Sequence, residues 1–396
     1  MAERDYALRL EIERRDDECS TLLESFDGSP ALIDAIAAAA PAEHAFLRAA
    51  WYEAAGAETS LVARRDGRAI AVFPTLPAGP PALGVRAVAG IYWPFRNIPI
   101  AADASEADLV DMMIAARAHG TLGPVWRLGP VYSDDASVTR LSAAAPAAGW
   151  SILTRTLGET YLLDIEAERA AGRQWPRKSS LKRLDGYERK LAEHGAVSID
   201  YVTGTDWSPA VFDALAEIEA RSWVATATDQ TGAKFIDPAH RRVWEGCAAD
   251  PVLAEMLSVV IVRVDGRPVA FSLDLTCGTL QYGIAGTYDA EFAKLNAGSL
   301  ANERNLLWAA ERGVTRFDWG AGDSGYKRKL GFVAGPQIVD LLFVRSSFVA
   351  AMLRNRWERA VSEGQADDAR KLPLGRLELL LIASIATAAA AGTLAE

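Results

Sequence analysis

The pattern of apolar and polar residues contains the same motif twice: a β-rich apolar run, an Asp-Gly pair and a second apolar run. Leu61–Phe73 reads Leu-Val-Ala-Arg-Arg-Asp-Gly-Arg-Ala-Ile-Ala-Val-Phe, and Ile261–Phe271 reads Ile-Val-Arg-Val-Asp-Gly-Arg-Pro-Val-Ala-Phe. Asp-Gly favours a type I′ turn because both of its residues tolerate positive φ. Each copy therefore predicts a two-stranded hairpin.

The elements around the two copies also follow the same order. A helical stretch that ends at Trp51 precedes the first copy, and one that ends at Trp223 precedes the second. After each copy come a helix that ends at a glycine and a short strand, Asp108–His119 with Val125–Leu128 and Leu300–Arg312 with Val314–Asp318. The shared order predicts a duplicated α/β unit.

The length of 396 residues also indicates two domains, since single cores stop growing near about 250–300 residues. We predict an α/β protein with two mixed central sheets, divided into residues 1–155, residues 156–345 and a helical C-terminal tail, 346–396. Leu379–Leu394 is apolar but shorter than the roughly 20 residues that span a bilayer. We interpret this run as a packed helix, with docking on a membrane surface as the alternative.

Charge and cysteine usage narrow the class of protein. The net charge of −10 provides no general attraction for nucleic acid. The segment 172–191 is basic and predicts a helix after Pro176, whose charged face is either solvated or binds phosphate. Three dispersed cysteines and an N-terminus without an apolar signal core favour a cytoplasmic protein.

Several catalytic motifs are absent from the sequence. It contains no GxSxG, no GxxxxGK[ST] and no HExxH, and its four histidines form no pair with metal-ligand spacing, so we expect no metal. One GxGxxG pattern occurs at Gly320–Gly325. Because the following residues run into Gly331 and Gly335, we interpret it as a glycine-rich loop that does not open a helix.

Four short motifs in the second half carry a family resemblance: Arg221-Ser-Trp223, the Asp265–Ala270 hairpin, Tyr288-Asp289 followed by Ala297-Gly-Ser299, and Asp318-Trp-Gly-Ala-Gly-Asp323 followed by Tyr326-Lys327. Together they resemble the acetyltransferase-like GNAT domain of the CelD/BcsL branch, which is associated with bacterial cellulose or exopolysaccharide synthesis and is distantly similar to the FemAB ligases. The resemblance covers roughly residues 155–345 and extends faintly to the first half. It implies a tandem GNAT architecture.

The resemblance also implies roles for individual residues. Tyr326 would protonate a departing thiolate, and Asp289 or Asp323 would act as the base. The loop before the second helix would hold the phosphates of acetyl-CoA or another acyl-CoA, through Lys294, Asn296, Ala297, Gly298, Ser299 and Leu300. This loop departs from the Gln/Arg-x-x-Gly-x-Gly/Ala pattern of ordinary GNAT enzymes. The acceptor would contact Arg221, Trp223, Tyr282, Asp318 and Lys327.

Structural alternatives exist for most of these residues. Asn296 and Ser299 are also ordinary helix-capping residues. Asp318 and Asp323 could brace their loop through backbone hydrogen bonds, and Lys327 could be their counter-ion or a phosphate contact. A tryptophan at a helix end, such as Trp223, is often part of the core.

The function predicted from the sequence is transfer of an acyl group, acetyl by preference, from a CoA thioester to an amine or hydroxyl of a small molecule or saccharide. One site per chain is expected, because Gly129–Asp135 takes the place of the Gly-Asp-x-x-Tyr-Lys pattern in the first half. The alternatives are a FemAB-like ligase that takes its aminoacyl group from transfer RNA and a non-catalytic accessory protein of a polysaccharide synthase. The sequence specifies neither the acceptor, the acyl length nor the oligomeric state.

Overall fold

A computed structural model describes residues 8–10, 21–91, 96–227, 233–322 and 325–358. The strands, numbered along the chain, are β1 Leu8–Leu10, β2 Thr21–Asp27, β3 Thr59–Arg65, β4 Arg68–Pro77, β5 Arg86–Val88, β6 Val125–Tyr132, β7 Ser151–Asp164, β8 Val197–Thr203, β9 Leu257–Val264, β10 Arg267–Cys277, β11 Leu280–Tyr288, β12 Arg316–Ala321 and β13 Val333–Val344. The predicted α/β class is confirmed.

The helices lie between these strands. In chain order they are α1 Ile33–Ala39, α2 Ala49–Ala54, α3 Glu106–His119, α4 Ala136–Ala147, α5 Ile165–Ala170, α6 Lys178–Ala192, α7 Pro209–Ala220, α8 Trp223–Ala227, α9 Pro238–Ala249, α10 Pro251–Met256, α11 Ala297–Glu311, α12 Tyr326–Lys329 and α13 Ser347–Trp357. Short 3-10 segments occupy Ala42–His44, Pro81–Leu83, Gly204–Asp206 and Ala290–Leu295. The predicted helix after Pro176 is α6.

The chain divides into two compact units, Met1–Glu159 with Pro336–Glu396 and Thr160–Gly335. The strand order in the first unit is β1-β2-β3-β4-β5-β6-β13, and only β5 and β6 are parallel neighbours. The second unit has the order β8-β9-β10-β11-β12-β7, and only β11 and β12 are parallel. From β2 onward, the first unit therefore has the same succession of antiparallel and parallel pairs as the second unit.

The two hairpin turns have the same geometry, as the predicted duplication requires. Asp66 and Gly67 have φ of 52° and 78°, and Asp265 and Gly266 have φ of 48° and 79°, as a type I′ turn requires. The register then slips once in each hairpin, so that Ile70 of β4 and Val269 of β10 are bulged. Each bulge lies three residues after the glycine of its turn, which places it at the same point of both units.

An arginine ion pair is also repeated beside each turn. Arg64 donates through Nε to Glu24 of β2 at 2.6 Å and through Nη1 to the Gly67 carbonyl at 3.0 Å. Arg263 donates to Asp200 of β8 at 2.6 Å and to the Gly266 carbonyl at 3.1 Å. Two side-chain contacts are thus shared by the hairpins in addition to their backbone geometry.

Two sequence-based expectations need revision. The unit boundaries fall near residues 160 and 335, whereas the sequence-based divisions are at 155 and 345, because β7 and β13 each run through a boundary. Trp223 begins α8 instead of ending a helix, and α9 and α10 separate it from β9. It therefore has no counterpart in Trp51, which lies in α2 directly before β3 and is fully buried.

Candidate active site

The candidate site lies in the second unit, where β11 and β12 separate. These parallel strands pair only from Leu280 to Tyr282, opposite Arg316 to Asp318. Beyond this point lies a cavity of about 160 Å³. Because one buried water needs about 10–15 Å³ of such space, the cavity has room for several ligand atoms. It is lined by Ser272, Asp274, Gly283, Ile284, Ala285, Gly286, Asn302, Trp319 and Tyr326.

Small residues on β11 make room for the neighbouring side chains. A Cβ atom at Gly283 would lie 2.7 Å from Cδ1 of Trp319, and one at Gly286 would lie 2.8 Å from Oδ1 of Asn302. Both separations are far below van der Waals contact. The glycines therefore allow Trp319 and Asn302 to lie against the strand and form the walls of the cavity.

Asp274 is the buried acid of this cavity. It lies on β10, is 3 % exposed and accepts a hydrogen bond from Nδ2 of Asn305 at 2.7 Å. Burial raises its pKa to about 8, although the Ile284 N–H, Arg312 and Ser272 oppose the shift. A carboxylate with such a pKa is a stronger base than an ordinary aspartate, which suits it to proton transfer. The sequence analysis did not single out this residue.

Tyr326 also lines the cavity. It begins α12, is 43 % exposed, and its ring centroid lies 5.9 Å from that of Trp319. This helix is a correction to the sequence analysis, which expected none after the glycine-rich loop. It lasts a single turn, and Gly331, with φ of 98°, lies two residues after its last residue.

Lys327 anchors α12 to the end of β12. Its Nζ donates to the carbonyl oxygens of Trp319 at 2.6 Å, Gly320 at 3.0 Å and Ala321 at 3.3 Å, and the side chain is buried. Its charge also acts on Asp318. In this position Lys327 holds the turn that carries Tyr326.

Asp318 and Tyr282 lie in the interior below the cavity. Asp318 is fully buried and accepts hydrogen bonds from the Thr160 hydroxyl and the Gly320 N–H. Burial raises its pKa to about 8, against the Gly320 hydrogen bond and the charge of Lys327. Tyr282 is 1 % exposed. Their placement fits the bracing role that the sequence left open for Asp318.

Asp289 and Arg221 meet outside the cavity lining. Oδ2 of Asp289 accepts from Arg221 at 2.6 Å and from Arg267 at 2.5 Å, while Oδ1 accepts from the Glu291 N–H at 3.0 Å. Burial raises the pKa of Asp289, but these hydrogen bonds stabilise the carboxylate more strongly, so the pKa is lowered overall. In this arrangement the carboxylate braces the loop after β11, and it is not among the residues that line the cavity with Tyr326. Nearby Trp223 is 51 % exposed and so is not a core residue.

The predicted phosphate loop lies at the start of α11. Asn296 adopts a left-handed conformation, Ala297, Gly298 and Leu300 are buried, and Lys294 and Ser299 are exposed. The Tyr288 ring lies directly over Gly298, where a Cβ would clash with it. A β-branched residue at 298 would therefore disturb packing as well as any ligand. Asn296 occupies the N-cap position of α11, but its side chain donates or accepts no capping hydrogen bond there.

Asp323 lies outside the described residues. Among those that are described, no group of three His, Cys, Asp or Glu side chains is arranged to hold a metal ion. The same portion of the chain contains no helix of the length and apolarity needed to cross a membrane.

The equivalent position in the first unit is occupied by aromatic side chains. Thr75 lies nine residues after Asp66, as Asp274 does after Asp265, and Phe73 takes the place of Ser272. Phe73 packs edge-on against Trp126 at 5.4 Å, and Trp126 stacks on Phe343 at 4.0 Å. In the first unit Thr75 thus stands in place of the acid, and Phe73 belongs to a group of packed rings.

Part of the chain that includes the candidate site matches a known protein family. Residues 178–328 match the family model described as the acetyltransferase (GNAT) domain. The matched segment contains the cavity and every described residue that lines it. No curated protein matches the chain significantly. The link to cellulose or exopolysaccharide synthesis therefore stays a prediction.

Solved structures share the fold over most of the chain. The C-terminal domain (DUF2156) of a putative lysylphosphatidylglycerol synthetase from Agrobacterium fabrum is 15 % identical, with a TM-score of 0.50 over 83 % of this chain and 97 % of that one. L-PGS from Bacillus licheniformis is 13 % identical, with a TM-score of 0.50 over 83 % and 98 %. FemX is 12 % identical, with a TM-score of 0.53 over 81 % and 97 %. At these identities the likeness concerns the fold, which is GNAT-like as predicted.

The tight fit at Gly283 gives a stability prediction. Gly283→Ala should lower the free energy of unfolding by about 1–3 kcal/mol, because the added methyl group displaces Trp319. Gly186→Ala is the matched control, since Gly186 lies within α6 and a methyl group added there would have no atom within 4 Å, and it should stabilise by about 0.5–1 kcal/mol. Urea denaturation measures both changes. A Gly283→Ala variant as stable as wild type would contradict the packing described here.

Proposed function

We propose that the second unit is a GNAT-type acyltransferase whose reaction takes place in the cavity between β11 and β12. The observation that carries the proposal is the combination, in one cavity, of a buried acid with a raised pKa, Asp274, and an accessible phenol, Tyr326. Acyl transfer requires a base for the acceptor and an acid for the leaving group, and it requires no metal.

The proposed reaction assigns one step to each residue. The Asp274 carboxylate takes the proton of an acceptor amine or hydroxyl as its nitrogen or oxygen attacks the acyl carbonyl carbon. A C–N or C–O bond forms, the C–S bond of the thioester breaks, and Tyr326 donates its phenolic proton to the departing thiolate. Return of the proton from Asp274 to Tyr326 through solvent completes the cycle. Asp274 thereby replaces Asp289, which is engaged by two arginines.

The acyl donor is proposed to be an acyl-CoA. We expect acetyl-CoA at a hundred times its dissociation constant to raise the free energy of unfolding by roughly 2.7 kcal/mol, seen as a higher melting temperature. Ala285→Leu adds bulk to the cavity lining and should abolish the shift, whereas Gly186→Ala should retain it. Absence of any shift with acetyl-CoA and longer acyl-CoAs would contradict this donor.

A second candidate is transfer of an aminoacyl group from transfer RNA. The observation that favours it is the covered start of α11, where Tyr288 lies over Gly298 at the place expected to receive CoA phosphates. A shift in melting temperature with aminoacyl-transfer RNA, and none with acyl-CoAs, would support this candidate. The non-catalytic alternative predicts no turnover with either donor.

A further inference from the structure

A second pocket in the same unit lies beside the basic helix α6. It has a volume of about 40 Å³, space for a section of a narrow chain because one water needs about 10–15 Å³. Its apolar wall combines the start of α6 with the outer side of α11 and the residue after α12: Trp175, Pro176, Leu181, Leu184, Leu306, Leu307 and Leu330. Leu181 is 38 % exposed, so the wall reaches the surface.

Positive charge surrounds this apolar wall. Lys329 and Arg177 lie on the rim and are exposed, and Arg177 also forms an ion pair with Glu168 at 3.6 Å. The acid of the pocket, Glu303, accepts a hydrogen bond from Arg183 at 2.8 Å, which neutralises it. The rim therefore favours an anion above an apolar group.

The solvent-facing side of α6 extends this charge away from the pocket. At about 100° per residue, Lys178, Lys182 and Arg189 project within about 40° of one another. They lie opposite Leu184 and Leu191, which are buried, and all three are exposed. Arg183 points elsewhere, toward Glu303, so it does not join these three residues. The exposed Asp185 projects from the same side, so the result is a row of three cations with one carboxylate among them, which is a net positive face on a chain whose net charge is −10.

These features together select the kind of partner. The leucine-lined wall offers no hydrogen bond to a nucleic-acid backbone, and Trp175 is packed against Phe317 at 6.3 Å instead of presenting both faces to a base. An aliphatic chain fits the wall, an anionic head group fits the rim, and further head groups fit the row of cations. We propose that α6 and this pocket dock on the surface of an anionic phospholipid membrane, with one acyl chain entering the pocket.

Flotation of the full chain with lipid vesicles tests the proposal. The protein should float with vesicles of equal parts phosphatidylcholine and phosphatidylglycerol and not with phosphatidylcholine alone. Lys178→Gln with Lys182→Gln should weaken the partitioning roughly 25-fold, corresponding to about 1 kcal/mol per lysine. Arg242→Gln is the matched control, since Arg242 is an exposed cation on α9, and it should leave the partitioning unchanged.

A second variant tests the pocket separately from the charges. Leu181→Asn puts a polar group on the partly exposed wall, where folding tolerates it, and should weaken vesicle binding at both low and high salt. The lysine variant should differ from wild type at low salt only. Flotation with neither vesicle, or equal flotation with both, would overturn the proposal. Retention on RNA without flotation would instead assign the basic row to a nucleic acid. None of these readouts depends on acyl transfer.

Discussion

Asp274→Asn should lower kcat by about 10²–10⁴-fold, the range that a positioned general base contributes. The amide cannot accept the acceptor's proton, yet its oxygen can still receive the hydrogen bond that Asn305 donates to the carboxylate. The fold and acyl-CoA affinity should therefore survive. Steady-state kinetics of thiol release, with melting temperature as a check on folding, measure the effect.

The pH dependence separates this role from a structural one. Wild-type kcat should rise with pH through an apparent pKa near 8, because only the deprotonated Asp274 acts as a base. The asparagine variant should lose this rise. Asp213→Asn, which changes a carboxylate with 68 % exposure, should retain both rate and profile. An Asp274→Asn enzyme with the wild-type pH profile would exclude Asp274 as the base.

The hairpins show which parts of the fold local sequence determines. The Asp-Gly pairs imposed positive φ at both turns, and the alternation of apolar residues fixed the strands on either side. The bulges at Ile70 and Val269 and the bounds of the units were not predictable in this way. They depend on pairing with strands such as β13, which joins the first unit although it is distant in sequence from the other strands of that unit.

The residues of the candidate site were harder to predict from local sequence than the hairpins. Tyr326 was found through a motif, and the cavity confirms only that it is accessible beside Trp319. Asp274 was missed although Phe271–Cys277 alternates apolar and polar residues, so that Ser272, Asp274 and Thr276 place polar groups on one face of a central strand. That alternation was the available signal. Its burial and raised pKa depend on α11 and β11, which no local pattern brings next to it.

The buried acids also predict how stability changes with pH. The pKa of Asp318 rises from 3.8 to about 8 on folding because of burial, so between these values the folded chain keeps a proton that the unfolded chain has lost. Raising the pH therefore favours the unfolded state. The free energy of unfolding should fall by up to about 1.4 kcal/mol per pH unit for this group and level off above pH about 8.

Asp318→Asn should remove this contribution, because the amide is neutral at every pH and its oxygen can still accept from Thr160 and Gly320. The variant should gain stability relative to wild type as the pH rises from about 5 to about 9, and urea denaturation at several pH values measures the difference. Asp213→Asn is again the exposed control and should run parallel to wild type. If the pH dependence of the Asp318→Asn variant is also parallel to that of the wild type, Asp318 is ionised in the folded chain. The positive charge of Lys327 would then stabilise the Asp318 carboxylate.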